Sequence, residues 1–249
     1  MTLSRLRTLC LITLAPLALA ACNDATGTDG AAPSGEALPA IAPPAGQEWV
    51  NTVAATPEGG YVIGNPDAPL KLVEYGSLTC PACARFSAEA TEPLKEKYVA
   101  SGRVSFEFRS FLIHGPLDLA LTRLIGCSTP AAALPLADQV WANLGPIQDR
   151  AFANQAALAS TNSLPENERF VRFGELTGLF EFFAARGISE DQARTCLGDF
   201  ASLERLAKLS EGYASDGINQ TPTFMLNGRK LEGGSWSQLE PQLQRAGAR

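Results

Sequence analysis

Residues 80–83 read Cys80-Pro81-Ala82-Cys83, two cysteines separated by two residues at the start of a predicted helix. Pro81 suits the first helical turn, because its missing N–H would be unpaired there and its φ is already helical. The Cys80 sulfur then lies at the helix N-terminus, where free N–H groups and the helix dipole stabilise an anion such as a thiolate. We therefore predict a redox-active dithiol in which Cys80 attacks and Cys83, one turn further in, resolves.

Two other interpretations of this motif remain open. Cysteines at this spacing also form structural disulfides, and a zinc or copper site would need further ligands. The chain has one histidine, His114, and two methionines, Met1 and Met225, with no second pair of cysteines at this spacing. This scarcity of soft ligands favours redox chemistry over a metal site, and no cofactor is predicted.

The first 21 residues have the pattern of a secretory signal peptide. Two arginines precede an apolar run from Leu9 to Ala21, which is too short to span a membrane. The run ends in Leu19-Ala20-Ala21-Cys22, which resembles the lipobox of bacterial lipoproteins, where Cys22 becomes the lipidated N-terminus. Ala18-Leu19-Ala20 also fits an ordinary cleavage site, so a lipid-anchored and a free exported protein are both possible.

Charge and cysteine number limit the partners and the redox compartment. The chain has 20 basic and 26 acidic residues, and losing the signal would make it more acidic, which argues against a nucleic-acid partner. Without the cysteine in the signal and the one at the lipobox, four cysteines remain, an even number typical of pairing in exported proteins. If Cys80 pairs with Cys83, then Cys127 and Cys196 are left to form a structural disulfide; two buried free thiols are the alternative.

A βαβ unit is predicted around the dithiol. Residues 22–48 are rich in Ala, Pro and Gly without a hydrophobic period, so we expect a flexible linker and folded structure from about Trp49. Leu70–Tyr75 is a nearly continuous apolar run, typical of a strand buried on both faces. A helix from Cys80 to about residue 100 should bend at Pro93. Residues 104–109 alternate apolar and polar side chains, as in a half-buried strand.

The second half of the chain is predicted to be mainly helical. Residues 116–215 show helical spacing, with a capping box at Ser189–Gln192 and a C-cap glycine at Gly187. A set of apolar residues at helical spacing is interpreted as core rather than as a ligand site: Phe170, Phe173, Leu176, Phe180 and Phe183. Strand pattern returns at residues 222–226, followed by an Asn227-Gly228 hairpin turn. Ser237 is the expected N-cap of a final helix.

Three features in this order resemble a known superfamily. Glu74-Tyr75-Gly76-Ser77-Leu78-Thr79, followed by the dithiol, resembles the active-site segment of the thioredoxin superfamily, and Thr221-Pro222-Thr223-Phe224 resembles its cis-proline loop. The helical block between them is similar to that of the DsbA-like thiol:disulfide oxidoreductases. The resemblance runs from about Gly60 to the C-terminus. It implies an α/β, thioredoxin-like fold, with residues 49–115 and 216–249 forming the thioredoxin-like domain and residues 116–215 an inserted all-helical subdomain.

The resemblance also implies roles for individual residues. Cys80 would be the nucleophile and Cys83 the resolving thiol. Thr221–Pro222 would be a cis peptide facing the dithiol, where an extended substrate can pair with the Thr221 backbone. Glu74 would be a partly buried acid that accepts or returns the Cys83 proton. The alternative for Glu74 is an edge-exposed carboxylate without a role.

One position departs from the DsbA pattern. These enzymes typically have histidine just before the second cysteine, where this chain has Ala82. Alanine offers neither charge nor a hydrogen bond to the thiolate, so we expect a weaker oxidant than the histidine type. Pro81 and Ala82 are therefore the residues expected to tune the dithiol. His114 is interpreted as a surface-loop residue.

The resulting functional prediction is a monomeric periplasmic thiol:disulfide oxidoreductase, tethered to a membrane through Cys22. It would oxidise cysteine thiols of exported proteins through a mixed disulfide on Cys80. The family implies re-oxidation by a membrane quinone-linked partner. A reductase or isomerase of the same fold is the nearest alternative, although isomerases usually bring a dimerisation domain and residues 23–48 do not have the pattern of one. A non-catalytic binding or metal module is the other alternative.

Overall fold

The computed structural model describes residues 36–249, so the predicted signal, Cys22 and the first part of the predicted linker lie outside the described residues. Within that range the chain forms a six-stranded sheet and ten α-helices. The strands are β1 (Val53–Ala55), β2 (Tyr61–Ile63), β3 (Leu70–Gly76), β4 (Val104–Ser110), β5 (Thr223–Leu226) and β6 (Arg229–Lys230). The helices are α1 (Pro81–Pro93), α2 (Pro116–Ile125), α3 (Pro130–Ala142), α4 (Leu144–Ala153), α5 (Gln155–Ser160), α6 (Glu166–Thr177), α7 (Leu179–Ala184), α8 (Glu190–Gly198), α9 (Phe200–Ser215) and α10 (Trp236–Arg245).

The sheet is mixed, with the order β1-β2-β4-β3-β5-β6. Strands β3 and β4 are parallel because α1 crosses between them, and every other pair is antiparallel. Strand β5 pairs with β3 so that Thr223 lies opposite Tyr75. The carboxyl end of β3 therefore meets the amino end of β5 at the same edge of the sheet.

Helices cover both faces of the sheet. On one face Phe86 of α1 packs against Phe224 of β5, with ring centroids 4.4 Å apart. Trp141 of α3 packs edge-on against Phe108 of β4 on that same face, at 5.2 Å. On the opposite face Tyr213 of α9 packs edge-on against Tyr75 of β3, at 5.0 Å. Helices of residues 116–215 therefore pack on both faces of the sheet.

Helix α1 changes its hydrogen-bond pattern at the predicted proline. It ends at Pro93 and continues as a π-helical segment, Leu94–Val99, in which the Ala100 N–H donates to the Lys95 carbonyl at 2.9 Å. Proline has no N–H for the α-helical ladder, so a change of register at this point is expected. The segment buries Tyr98 and Val99 and leads back to β4.

Two strand predictions were wrong about burial. Strand β4 is not half-buried, because it lies inside the sheet and its polar residues Ser105 and Glu107 are buried; the Thr56 hydroxyl donates to Glu107 Oε1 at 2.6 Å. Strand β3 is not covered along both faces, since Lys71 is exposed between buried Leu70 and Leu72.

The beginning of the folded unit was also predicted too late. The Leu38 N–H donates to the Gly247 carbonyl and the Ile41 N–H to the Ser101 carbonyl, both at 2.9 Å. The indole of Trp49 donates to the Ile41 carbonyl at 2.7 Å. Residues 38–48 are therefore held by the domain, contrary to the flexible linker predicted for 22–48. The short β1–β2 hairpin was not predicted, because its residues show no clear alternation of apolar and polar side chains.

Residues 116–215 contain helices α2 to α9, as predicted. Cys127, after α2, and Cys196, in α8, form a disulfide across 69 residues, as the cysteine number predicts. Phe170, Phe173, Phe180 and Phe183 of α6 and α7 are buried in the core, which supports their structural interpretation. Gly187 has the expected left-handed backbone, with φ of 91°. No helix within residues 36–249 has both the length and the apolar character needed to cross a membrane.

Two helix caps differ from the prediction. The Ser189 hydroxyl accepts from the Gln192 N–H at 3.2 Å, but the Gln192 side chain donates instead to the Cys127 carbonyl at 2.5 Å, so the capping box is only half formed. Helix α10 starts at Trp236 and is capped by Ser235, which forms a capping box with Gln238, rather than by Ser237. The glutamine three residues after Ser235 is the sequence signal that favours this serine.

The cap of α10 can be tested by comparing its two serines. Ser235→Ala should lower the free energy of unfolding by about 0.5–2 kcal/mol, because an N-cap hydroxyl and one half of a capping box are lost. Ser237→Ala is the matched control and should change it by less than about 0.5 kcal/mol. Urea unfolding of both variants measures the difference. Equal losses, or a larger loss from Ser237→Ala, would contradict the capping by Ser235.

Candidate active site

The pairing of β3 with β5 brings the dithiol to the proline loop. Cys80 is the N-cap of α1, with extended backbone at φ −88° and ψ 120°, and Pro81 is the first helical residue. The Thr221–Pro222 peptide bond is cis, and the Thr221 carbonyl oxygen lies 3.5 Å from Cys80 Sγ. The two thiols are not joined in a disulfide in this structure. Cys80 is 6% exposed and Cys83 is fully buried, so Cys80 is the more accessible thiol, as predicted.

The two thiols differ strongly in proton affinity. A hydrogen bond from the Cys83 thiol lowers the pKa of Cys80 to about 5; burial opposes this, while Thr221 and the N–H groups of Cys83 and Ala82 add to the lowering. The hydrogen bond to Cys80, burial and the charge of Glu74 raise the pKa of Cys83. At neutral pH the pair is therefore a Cys80 thiolate beside a protonated Cys83.

Glu74 is a buried acid on the face of the sheet covered by α1. Its neighbours in register are Phe108 in β4 and Phe224 in β5, and Glu74 is only 2% exposed. Burial raises its pKa well above the usual range, and the charges of Asp138 and Cys80 raise it further. Its Oε1 has no hydrogen-bond partner within residues 36–249. The edge-exposed alternative for Glu74 is therefore wrong.

Side chains of the helical insertion hold the loop before Cys80. Asp118 of α2 accepts from the Leu78 N–H at 3.1 Å and from the Ser77 hydroxyl at 2.7 Å. Trp141 of α3 donates to the Ser77 carbonyl at 3.0 Å, and Gln148 of α4 donates to the Thr79 carbonyl at 3.0 Å. These three residues were not predicted as part of the site. They lie 40 or more positions from the residues that they contact, and no local pattern indicates the contacts.

His114 is also connected to this loop. The histidine is exposed, as predicted, but its Nδ1 lies 2.8 Å from the Thr79 hydroxyl, which in turn lies 3.0 Å from the Ser77 hydroxyl. A polar chain therefore runs from His114 through Thr79 and Ser77 to the buried carboxylate of Asp118. Burial raises the pKa of Asp118, and its hydrogen bonds and the charge of His114 partly offset this rise.

Two grooves flank the dithiol. An apolar groove of about 590 Å³ is lined by Pro81, His114, Leu117, Phe152 and Phe173, among others. The Phe152 side chain in it is 70% exposed, which is unusual for phenylalanine. On the other side of α1, a more polar groove of about 420 Å³ is bounded by residues including Ala82, Arg85, Pro222 and Gly234. An extended chain could therefore reach the dithiol from either side.

The arrangement suits reversible exchange of a disulfide with an external thiol. It supplies a thiolate at a helix N-terminus, a protonated second thiol and a buried acid that can hold a proton. Residues 36–249 contain no cluster of three or more His, Cys, Asp or Glu side chains placed to hold a metal ion.

Comparisons with known proteins agree with this geometry. The family model described as Thioredoxin matches residues 56–245. A Rickettsia bellii protein named as a protein-disulfide oxidoreductase is 26% identical over 84% of this chain and 76% of its own length. The structure titled protein-disulfide isomerase from Novosphingobium aromaticivorans is 27% identical, with a TM-score of 0.67, over 76% of this chain and 97% of that chain. Wolbachia pipientis alpha-DsbA1 shares the fold, with a TM-score of 0.56, 21% identity and coverage of 75% and 91%.

Another relative is much longer than this chain. The Na(+)/H(+) antiporter NhaA 1 of Mycolicibacterium gilvum is 26% identical over 71% of this chain, which spans 25% of that protein. The shared segment therefore also occurs inside a larger protein.

The Cys80 thiolate should make the reduced protein more stable as the pH rises. Its pKa is about 5 in the folded protein and near 9.0 ordinarily, so above pH 5 the unfolded chain binds more protons than the folded one. The pH-dependent part of the stability advantage over Cys80→Ser should be absent below pH 5 and grow up to about pH 9. Above that it should fall again, because Cys83 ionises in the unfolded chain while its raised pKa keeps it protonated in the folded protein. Urea unfolding of the two reduced proteins measures it, and ultraviolet titration should place the thiolate midpoint near pH 5. An advantage that is independent of pH would contradict this assignment.

Proposed function

Because the chain belongs to the thioredoxin family and has the fold of its DsbA-like oxidoreductases, we propose that it is a thiol:disulfide oxidoreductase that introduces disulfides into other proteins. The observation that carries this proposal is the pair of thiols with opposite proton affinity, a Cys80 thiolate beside a protonated Cys83. A disulfide is oxidising when its reduced form is stabilised, and the low pKa of Cys80 stabilises that form at neutral pH.

The proposed reaction transfers two electrons from the substrate to the protein. A substrate thiolate attacks Cys80 Sγ of the Cys80–Cys83 disulfide, the S–S bond breaks, and Cys83 leaves and takes a proton from Glu74. A second substrate thiolate then attacks the substrate sulfur of the mixed disulfide and releases the Cys80 thiolate. The substrate gains one disulfide and the protein becomes a dithiol. Attack by Cys83 on the mixed disulfide instead reverses the first step.

The grooves support a polypeptide substrate. The apolar groove ends beside Thr79 and Pro81, next to the attacking thiol, and presents the exposed Phe152 ring. Apolar side chains are accessible in unfolded chains and become buried on folding, so such a surface favours unfolded over folded proteins. At the other groove the cis Thr221–Pro222 bond faces the dithiol, where the backbone of an extended substrate can pair.

We further propose that the protein is exported to the periplasm and tethered to a membrane by lipidation of Cys22. The support is the sequence of residues 1–22, which lies outside the described residues. Export would deliver it to a compartment in which disulfides persist. Its substrates there are exported proteins with free cysteines, it acts as a monomer, and a membrane quinone-linked partner re-oxidises it.

Catalysis can be tested with a substrate that has two cysteines. The oxidised protein should convert the two thiols of a reduced, unfolded polypeptide to a disulfide and gain two thiols itself. Cys83→Ser, mixed with a disulfide-containing polypeptide, should accumulate more mixed disulfide on Cys80 than the wild-type protein, because it lacks the protein's own resolving thiol. Non-reducing electrophoresis and mass spectrometry of alkylated samples measure both outcomes.

Cys80→Ser with Cys83→Ser is the matched control and should form no adduct. A wild-type protein that leaves the substrate thiols unchanged would contradict the proposed activity. A structural disulfide or a binding module would then be the better interpretation of the motif.

The residue before Cys83 should set the oxidising strength. Ala82 lies beside the Cys80 sulfur and contributes only a backbone N–H to the thiolate. Ala82→His would add a charged donor, and charge-assisted hydrogen bonds stabilise by ~1.5–3 kcal/mol, so the reduction potential should rise by roughly 30–60 mV while the pKa of Cys80 falls. Equilibrium with glutathione and ultraviolet titration measure the two quantities.

Ala82→Gln is the control for size without charge and should change the potential less than Ala82→His. The two effects of Ala82→His must occur together, because they arise from one thiolate. A potential that stays constant while the pKa falls would contradict this account. A wild-type potential in the range of reducing proteins such as thioredoxin, near −270 mV, would favour a reductase.

A further inference from the structure

Two carboxyl groups on different elements face one internal cavity. Glu74 of β3 and Asp138 of α3 both line a cavity of about 30 Å³ beneath α1. The other lining residues are mostly apolar, including Phe86, Leu134 and Trp141. Glu74 Oε1 is buried and has no hydrogen-bond partner within residues 36–249. A cavity of this size has room for about one or two water molecules, and the two carboxyl groups would supply polar partners for them.

Asp138 connects this cavity to the surface. Its Oδ1 accepts from the Ser87 hydroxyl at 2.8 Å and from the Thr91 hydroxyl at 3.2 Å, both on α1. Its Oδ2 lies 3.8 Å from Lys95 Nζ, and the Asp138 side chain is 28% exposed. Glu74, by contrast, is almost completely buried. Asp138 is therefore the carboxyl group that reaches both the cavity and bulk water.

We infer that Asp138 passes protons between solvent and Glu74, so that buried Cys83 can gain or lose its proton during disulfide exchange. The inference rests on the exchange reaction proposed above. When Cys83 leaves the disulfide it takes the proton of Glu74. The Glu74 carboxylate regains a proton from Asp138 through water in the cavity, and Asp138 regains one from solvent. The reverse reaction runs the same path outward. Asp138 acts through Glu74 and does not touch the thiols.

The charges around the cavity determine how the reaction should depend on pH. Glu74 is on β3, Asp138 on α3, Lys95 on the π-helical segment, and Cys80 and Cys83 are at the start of α1. After burial, the charge of Asp138 is the largest cause that raises the pKa of Glu74. Burial raises the pKa of Asp138, and the hydrogen bond from Ser87 and the charge of Lys95 partly offset this rise. Removal of Asp138 should therefore lower the pKa of Glu74, while removal of Lys95 should raise the pKa of Asp138.

Asp138→Asn separates a proton-transfer role from a structural one. The amide oxygen can still accept from Ser87 and Thr91, but the side chain no longer titrates. The measurement is the rate at which dithiothreitol reduces the oxidised protein between pH 5 and 9, followed by acid quench and alkylation. Rates are divided by the dithiothreitol thiolate concentration, so that the remaining decline with pH reports the loss of the Glu74 proton.

Near pH 5, where Glu74 already holds a proton, Asp138→Asn should react at about the wild-type rate. At higher pH, where Glu74 must first take a proton through Asp138, it should lower the rate by roughly 3- to 10-fold, a part of the 10²- to 10⁴-fold typical of general acid–base catalysis. The decline of the normalised rate should also begin at lower pH. The reason is that loss of the negative charge at position 138 lowers the pKa of Glu74. Asp138→Glu, which keeps a titrating carboxyl group, should restore most of the rate. Asp191→Asn on α8 is the matched control, an exposed aspartate with the same change in charge, and should match the wild-type protein.

Lys95→Gln is a second variant at a half-exposed position, chosen so that the test does not depend on one substitution at the α1–α3 contact. Loss of the cation raises the pKa of Asp138, so Asp138 should hold a proton for Glu74 up to higher pH and the decline of the rate should begin at higher pH.

The outcomes separate the proton path from the exchange reaction. Wild-type rates and pH dependence in Asp138→Asn would overturn the path and leave the exchange reaction intact. An Asp138→Asn protein that is slower by one factor at every pH, and is not restored by Asp138→Glu, would also overturn it, since Asp138 would then only hold α1 against α3. A wild-type disulfide that dithiothreitol does not reduce would overturn the exchange reaction and the path together.

Discussion

The structure depends most on the antiparallel pairing of β3 with β5. Because Thr223 lies opposite Tyr75, the chain that leaves β3 towards Cys80 and the chain that enters β5 from Pro222 meet at one edge of the sheet. Residues 141 positions apart thereby come within 3.5 Å, from Cys80 Sγ to the Thr221 carbonyl oxygen. The same register puts Glu74 level with Phe108 and Phe224, beneath the helix that carries the dithiol. A slip of one residue would turn Glu74 towards the opposite face and separate it from the cysteines.

Burial has opposite consequences for the groups of the site. Cys80 is at the helix N-terminus, where hydrogen bonds from Cys83 and from backbone N–H groups outweigh desolvation and keep the thiolate. Cys83 is one turn further in, where the hydrogen bond to Cys80, desolvation and nearby negative charge keep the proton on sulfur. Glu74 has mainly apolar neighbours, and desolvation dominates there. One short helix and one strand therefore place a stable anion, a neutral thiol and a proton donor within the same small region.

What could be predicted from sequence was mostly local. The helix at Pro81, the hairpin at Asn227-Gly228 and the helices of residues 116–215 follow from neighbouring residues, and the Cys127–Cys196 disulfide follows from cysteine number. The position of Glu74 near the dithiol was implied by family resemblance. Asp118, Asp138 and Gln148 could not be found, because aspartate and glutamine on a helix are usually solvated and only packing shows what they face. Burial of β4 was misjudged for the same reason: Glu107 looks solvent-exposed until Thr56 and Arg109 are seen to cover it.

The contacts of Asp118, Trp141 and Gln148 with residues 77–79 mean that the helical insertion is not a removable attachment. A thioredoxin core cut out of this chain would keep both cysteines and the cis-proline, but the three residues that lead to Cys80 would lose their outside hydrogen bonds. An engineer who transplants the Cys80–Cys83 motif to another scaffold must therefore move parts of α2, α3 and α4 with it. The smallest set of residues that carries this chemistry to another protein is therefore discontinuous in sequence. It includes residues of the thioredoxin-like core and of the helical insertion.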